Sequence, residues 1–250
     1  MTATLSDTPT TLGRRIAVLE DDAMLREDVI APGLRDFGFD VFTAGSAAEL
    51  YRGMIGHVFD IVLLDIGLPD EDGLTVARHL RQMGDMGIVM LTGSNARHNH
   101  LSALQLGADA FLSKPVDVDI LAGTLHALGR RLRGGNASAG PTTPAGAVAP
   151  AAAAEAWRLD AEGWCLMAPN GSVLALTAPE RALMAALVDA HGQPVARETL
   201  IAALCTDVYA FDPHRLDMLV HRLRRKATDA GAGTLPLLTS RGSGYLFANG

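Results

Sequence analysis

The chain has 250 residues, enough for two ordinary domains, with 48% hydrophobic and 20% charged residues and a formal net charge of −7. Its mean hydropathy of +0.19 comes from scattered Ala, Val and Leu. No run is long enough to span a membrane, and the polar first fourteen residues lack a signal peptide's apolar core, so a cytoplasmic protein with no membrane partner is expected. Cys165 and Cys205 stand far apart and in no metal-ligand spacing, which excludes a disulfide framework or a zinc site and leaves two free thiols.

Charge is unevenly spread. Residues 1–133 carry 18 acidic and 12 basic side chains, whereas from His214 onward six basic residues face only Asp217 and Asp229. The acidic half calls for a cation and the basic end for a polyanion.

Residues 1–14 are expected to be disordered. From there to residue 133 short apolar strands alternate with amphipathic helical stretches. The strands are at Ile16–Leu19, Val41–Thr43, Ile61–Asp65, Ile88–Thr92 and Ala110–Leu112. The helices are at Ala23–Phe37, Ala47–Met54, Leu74–Met83, Ala96–Leu106 and Val116–Leu132. Parallel neighbours need crossover connections, which helices supply, so this alternation predicts an α/β doubly wound domain with a five-stranded parallel sheet over residues 15–133.

The third strand, Ile61–Asp65, is a short apolar run closed by a Gly/Pro turn, the pattern of a strand buried on both faces. Asp65 then sits at its carboxyl end, where open α/β sheets bind ligands. Taken alone, that Asp reads as a turn carboxylate. Glu20 and Asp21 end the first strand at the same edge, however, and three converging carboxylates call for a hard divalent cation, Mg²⁺. Thr92 ends the fourth strand, and Lys114-Pro115 follow the fifth. Lys114 is one of two lysines in a chain with 19 arginines, which points to a need for a compact point charge. Metal, hydroxyl and ammonium around a carboxylate are what in-line phosphoryl transfer to Asp65 requires.

Residues 134–154, rich in Gly, Pro and Ala, read as a flexible linker that would let the domains sit tens of ångströms apart. Residues 155–250 predict an α+β domain. Short strands at Trp157–Leu159, Trp164–Met167 and Val173–Leu176 lead to a helix that starts on the capping-box sequence Thr177-Ala178-Pro179-Glu180 and runs to about Ala190. Helices follow at Arg197–Leu204 and Pro213–Ala230, then two strands around the Gly-rich turn Arg241–Gly244. In the last helix Leu216, Leu219, Val220 and Leu223 recur at helical spacing and leave His221, Arg222, Arg225 and Lys226 largely on other faces. Such a cationic face can enter a DNA major groove, with Arg241 as a second basic point at the backbone or minor groove.

These residues carry a resemblance. Val18–Asp22, Leu64–Pro69 with Gly73, Leu91–Gly93 and Gly107–Pro115 resemble the flavodoxin-like receiver domain of two-component response regulators. Leu176–Glu180, Gly192–Leu200, Asp217–Lys226 and Thr239–Tyr245 resemble the winged-helix effector domain of the OmpR/PhoB type. The resemblance implies that a sensor histidine kinase phosphorylates Asp65, with Thr92 and Lys114 as its catalytic partners and with Glu20, Asp21, Asp65 and the Gly67 carbonyl holding Mg²⁺. It implies a switch formed by Thr92 and Phe111. It also implies sequence-specific binding to direct repeats of double-stranded DNA as a homodimer, through His214, His221, Arg222, Arg224, Arg225, Lys226, Thr239, Arg241 and Tyr245, with RNA polymerase as a further partner.

The chain departs from the family in two places. Charged positions that pair phosphorylated receivers are His100, Ala110, Ile120 and Thr124 here, and Cys205 stands where the family has a Trp. An atypical receiver-containing protein that binds DNA independently of phosphorylation is the alternative. A haloacid-dehalogenase-like phosphatase is disfavoured, because Asp65 is followed by Ile66-Gly67 and lacks the second acid two residues on.

Overall fold

The structure, a computed structural model, describes residues 14–93, 108–133, 156–205, 212–240 and 242–248. The expected helix over 96–106, the linker and residues 1–13 lie outside them, as do His100 and Arg241.

Five strands, β1 (Arg15–Leu19), β2 (Asp40–Ala44), β3 (Ile61–Asp65), β4 (Gly87–Thr92) and β5 (Ala110–Ser113), form one parallel sheet in the order β2-β1-β3-β4-β5. Every residue of β3 and β4 is buried, as expected of central strands covered on both faces. The alternation of the pleat sends Val62 and Leu64 to one apolar layer and Ile61 and Leu63 to the other. Because the strands are parallel, Glu20, Asp65 and Thr92 end at one edge.

Among the described residues, the α-helices of this domain are α1 (Ala31–Asp36), α2 (Ala47–Gly56), α3 (Gly73–Met83) and α4 (Val118–Arg133). A widened π-type turn over Leu25–Ile30 runs straight into α1, just before Pro32, which has no N–H to continue the regular ladder. Asp70 in the loop after β3 accepts the N–H groups of Ala47 and Ala48 at 3.1 and 3.0 Å, pinning that loop to the start of α2. Those bonds, Ala48 first, hold the Asp70 carboxyl below its ordinary pKa.

The second domain has a three-stranded antiparallel platform, β6 (Arg158–Leu159), β7 (Cys165–Met167) and β8 (Val173–Ala175), then α5 (Ala178–Asp189), α6 (Arg197–Leu204) and α7 (Pro213–Asp229). The hairpin β9 (Leu237–Ser240) and β10 (Gly244–Phe247) closes it. Pro213 opens α7, where a missing N–H costs nothing, and Asp212 caps it by accepting from the His214 N–H at 2.9 Å. Glu180 reaches back from α5 to accept the Thr177 N–H at 3.0 Å. Neither cysteine is in a disulfide, and burial pushes the Cys165 thiol up to about 11, which keeps it protonated and inert.

The two domains are not separated. The platform packs on α4 and the end of α1, and Ala175 of β8 joins the apolar layer of the parallel sheet. This corrects the expectation of loosely spaced domains. A linker's length limits how far two domains can part, and their surfaces decide whether they do.

Candidate phosphorylation site and DNA-binding face

At the carboxyl edge of the parallel sheet the Lys114 ammonium donates to Glu20 Oε1 at 2.7 Å and to Asp65 Oδ2 at 2.9 Å. Glu20 is fully buried, Asp65 is 6% exposed and Asp21 is open to solvent. Ligand oxygens of these three carboxylates lie within 4.8 Å of one another. Burial raises the pKa of Glu20, helped by the charge of Asp65 and opposed by the Lys114 bond. Burial pulls Lys114 the other way, but its bonds to Glu20 and Asp65 prevail and its pKa is raised. The ammonium therefore stays charged and offsets one of three carboxylates. Glu20 Oε2 is buried with no hydrogen-bond partner. A donor set with two uncancelled negative charges and one orphaned buried oxygen fits a hard divalent cation.

Local geometry holds this pocket in place. Arg26 donates to the Glu20 carbonyl at 2.5 Å, fixing the turn that presents Glu20 and Asp21. At Gly73 a β-carbon would lie 2.4 Å from the Asp65 carbonyl oxygen and 2.7 Å from Ile66 Cα, so only glycine lets α3 begin against the Asp65 loop. Gly67 lies in that loop, where a β-carbon would stand 3.8 Å from Asp65 Oδ2. Thr92 is buried at the end of β4, the strand that neighbours β3, and its hydroxyl donates to the Gly93 carbonyl at 3.4 Å. The Phe111 ring is turned inward and buried. The Lys114–Pro115 bond is cis.

On the second domain, Leu216, Leu219, Val220, Leu223 and Ala227 of α7 face the core. His214, Met218, His221, Arg222 and Arg225 are exposed on the outer side. Three residues expected at DNA face inward instead. Tyr245 is buried, and its hydroxyl donates to Asp217 Oδ1, which also takes Arg197 Nη1 at 2.7 Å. That bond and the Arg197 charge hold Asp217 below its ordinary pKa, while burial and Asp217 raise Tyr245. Arg224 donates to the Leu237 carbonyl at 3.0 and 2.6 Å and ties α7 to the hairpin. Lys226 points back toward the other domain. Thr239 is exposed on β9.

Residues 16–126 match the model of the response regulator receiver domain, and residues 171–247 match that of the C-terminal domain of transcriptional regulatory proteins. Over 93% of its length the chain is 34% identical to the transcriptional regulatory protein AruR of Pseudomonas aeruginosa, covering 95% of that protein. It is 32% identical to the transcriptional regulatory protein PhoP of Escherichia coli K12 over 93% of its length and 98% of that protein's. The chain belongs to the OmpR/PhoB-type response regulators.

In this response regulator the sequence pattern located the strand-end residues Glu20, Asp21, Asp65, Thr92 and Lys114, and the structure brings them to one edge. It gave no sign of Arg26, which reaches Glu20 through a main-chain carbonyl rather than a motif position. At the altered receiver face Ile120 is exposed and the Thr124 hydroxyl donates to its own helix at the Ile120 carbonyl, 2.8 Å away. Neither can offer a charge to a partner. Among the described residues no helix is long and apolar enough to cross a membrane.

Proposed function

We propose that Asp65 accepts a phosphoryl group from the phosphohistidine of a sensor kinase in a Mg²⁺-dependent reaction, and that this modulates sequence-specific DNA binding by the C-terminal winged helix. The observation that carries the reading is the convergence of Glu20, Asp21 and Asp65 on one point with the Lys114 ammonium bonded to two of them. An Asp65 carboxylate oxygen attacks phosphorus, the phosphorus–nitrogen bond breaks, and its electron pair leaves with the imidazole. Lys114 then moves from carboxylate to phosphoryl oxygen and neutralises its charge, and the Thr92 hydroxyl turns from the Gly93 carbonyl to donate to another. Glu20, Asp21, Asp65 and the Gly67 carbonyl would hold Mg²⁺, which supplies positive charge to the same oxygens. The acyl phosphate is hydrolysed in the same pocket, so the receiver catalyses its own loading and unloading while the protein acts as a regulator in the cytoplasm.

The exposed side of α7, with His214, His221, Arg222 and Arg225, enters the major groove, and the exposed Thr239 of β9 meets the backbone. Two copies bind direct repeats, and RNA polymerase is a further partner. The uncharged Ala110, Ile120 and Thr124 favour a second reading in which DNA binding is independent of phosphorylation. Incubation with acetyl phosphate and Mg²⁺ tests the first. Wild type takes up one hydroxylamine-labile phosphoryl group and Asp65→Asn takes up none; labelling that persists in the variant contradicts the assignment.

A further inference from the structure

The domain interface is built rather than incidental. Trp164, on the turn leading into β7, lies against the left-handed Gly38 at the end of α1, where any β-carbon would meet its ring at 2.1 Å. The His126 ring of α4 is stacked between Phe39, 4.3 Å away, and Trp164, 5.7 Å away. The Arg181 guanidinium lies over the Trp164 ring, 4.5 Å from its centre. Charges close the rim: Arg14, which is buried, donates to both oxygens of Glu162 at 2.9 and 3.0 Å, and Arg130 donates to Asp160 at 3.1 Å. Side chains buried and paired across a boundary in this way mark a docked state of the full chain.

One member of this interface also belongs to the DNA-binding helix. Lys226, in the last turn of α7, contacts Asp119 at the start of α4 at 2.5 Å and lies 4.8 Å from the centre of the Phe37 ring. Within its own domain it reaches Glu180 at 3.3 Å. Its side chain is 15% exposed, whereas the neighbouring Arg225 side chain is 74% exposed. The only lysines in the chain are Lys114 and Lys226. Lys114 bonds Asp65, and Asp119 follows it by five residues, so the two ammonium groups hold opposite ends of one short segment.

We propose that Lys226 is a charge latch between the domains: docking on Asp119 withholds one cation from the DNA-binding surface, and undocking returns it. The proposal rests on the reading of α7 as the DNA-contacting helix. Asp119 is an exposed residue outside both cores, so its charge can be removed without unfolding either domain.

The test uses the full chain in four forms: wild type, Asp119→Asn, Lys226→Met and the double variant. A Trp164→Ala chain serves as a second route to undocking. Intrinsic tryptophan fluorescence and quenching by acrylamide report docking, and DNA affinity is measured against salt. Asp119→Asn should raise Trp164 quenching, strengthen DNA binding severalfold and steepen the salt dependence by about one phosphate contact. Trp164→Ala should strengthen DNA binding in the same way. On the Lys226→Met background the Asp119 change should have no effect on DNA. Three results overturn the proposal: Trp164 fully accessible to acrylamide in wild type; unchanged DNA affinity and salt slope in Asp119→Asn or in Trp164→Ala; or an Asp119→Asn gain that survives Lys226→Met. Failure of the DNA-contact reading looks different, with no form of the protein binding DNA while docking still responds to Asp119→Asn.

Discussion

Glu20 and Asp65 share one ammonium, and that sharing sets what the acidic pocket can do. With Lys114 in place the two buried carboxylates stay close without a prohibitive charge, yet the site as a whole remains negative enough to draw in a cation. Gly73 holds the geometry on the other side of Asp65. Gly73→Ala places a methyl 2.4 Å from the Asp65 carbonyl oxygen, so the loop must shift. We expect a loss of about 1–3 kcal/mol in urea unfolding, together with slower phosphoryl uptake from acetyl phosphate. Unchanged values for both would show that the loop yields freely.

These residues differ in how readable they were from sequence. Asp65, Thr92 and Lys114 each end a short apolar run, and in a parallel sheet all such ends meet, so their meeting follows from strand pattern alone. Tyr245, Arg224 and Lys226 lie in a stretch rich in basic and polar groups that looks uniform in sequence. Which of them turn inward depends on Asp217, the Leu237 carbonyl and Asp119, partners that only the folded chain brings near.

At the scale of elements, α7 presents the exposed cationic side of the second domain and α4 packs at the boundary between the domains. The outer side of α7 is a short exposed row with Arg222 near its middle. Arg222→Ala should weaken specific DNA binding by about 1–3 kcal/mol at fixed salt if the guanidinium reads a base edge; an unchanged affinity would remove Arg222 from the interface. Helix α7 was legible because its apolar residues repeat at helical spacing, and its cap residues Asp212 and Pro213 mark its start. The widened turn before α1 was not, since periodicity over six residues hardly separates it from a regular helix.

Helix α4 carries His126, whose Nε2–H donates to the Phe37 carbonyl at 3.2 Å while Nδ1 is buried without a partner. Burial, reinforced by the positive charges of Arg14, Arg130 and Arg133, pushes its pKa down to about 3. Glu162 and Asp160, the nearby acids, are already paired with Arg14 and Arg130. The unfolded chain binds this proton near its ordinary pKa of about 6.5, and the folded chain does not until far lower pH. The stabilisation is therefore complete above about pH 6.5 and is lost as pH falls toward 3, by about 1.4 kcal/mol per unit. Denaturation midpoints at pH 7 and pH 5 should fall further for wild type than for His126→Phe. Equal drops would show that His126 does not stay neutral.

At the scale of the molecule, the protein is two domains that share a boundary, a receiver domain that holds the acidic pocket and a DNA-binding domain that carries α7. The parallel sheet and the winged helix were both evident in the sequence, because each has its own periodicity and turn signals. Their docking was not. The linker composition speaks only of reach, and the interface is assembled from single residues, Arg14, Phe39, His126, Trp164 and Ala175, that are scattered along the chain and form no pattern. The boundary joins the two domains directly, whereas the receiver face with Ala110, Ile120 and Thr124 offers no charge at those positions.

The central claim is that phosphorylation of Asp65 controls DNA binding, and it is tested most directly by measuring DNA affinity with and without acetyl phosphate and Mg²⁺ in wild type and Asp65→Asn side by side. The phosphodonor should shift the affinity of wild type and leave Asp65→Asn unmoved. An equal shift in both, or none in wild type despite stoichiometric phosphorylation, would contradict it.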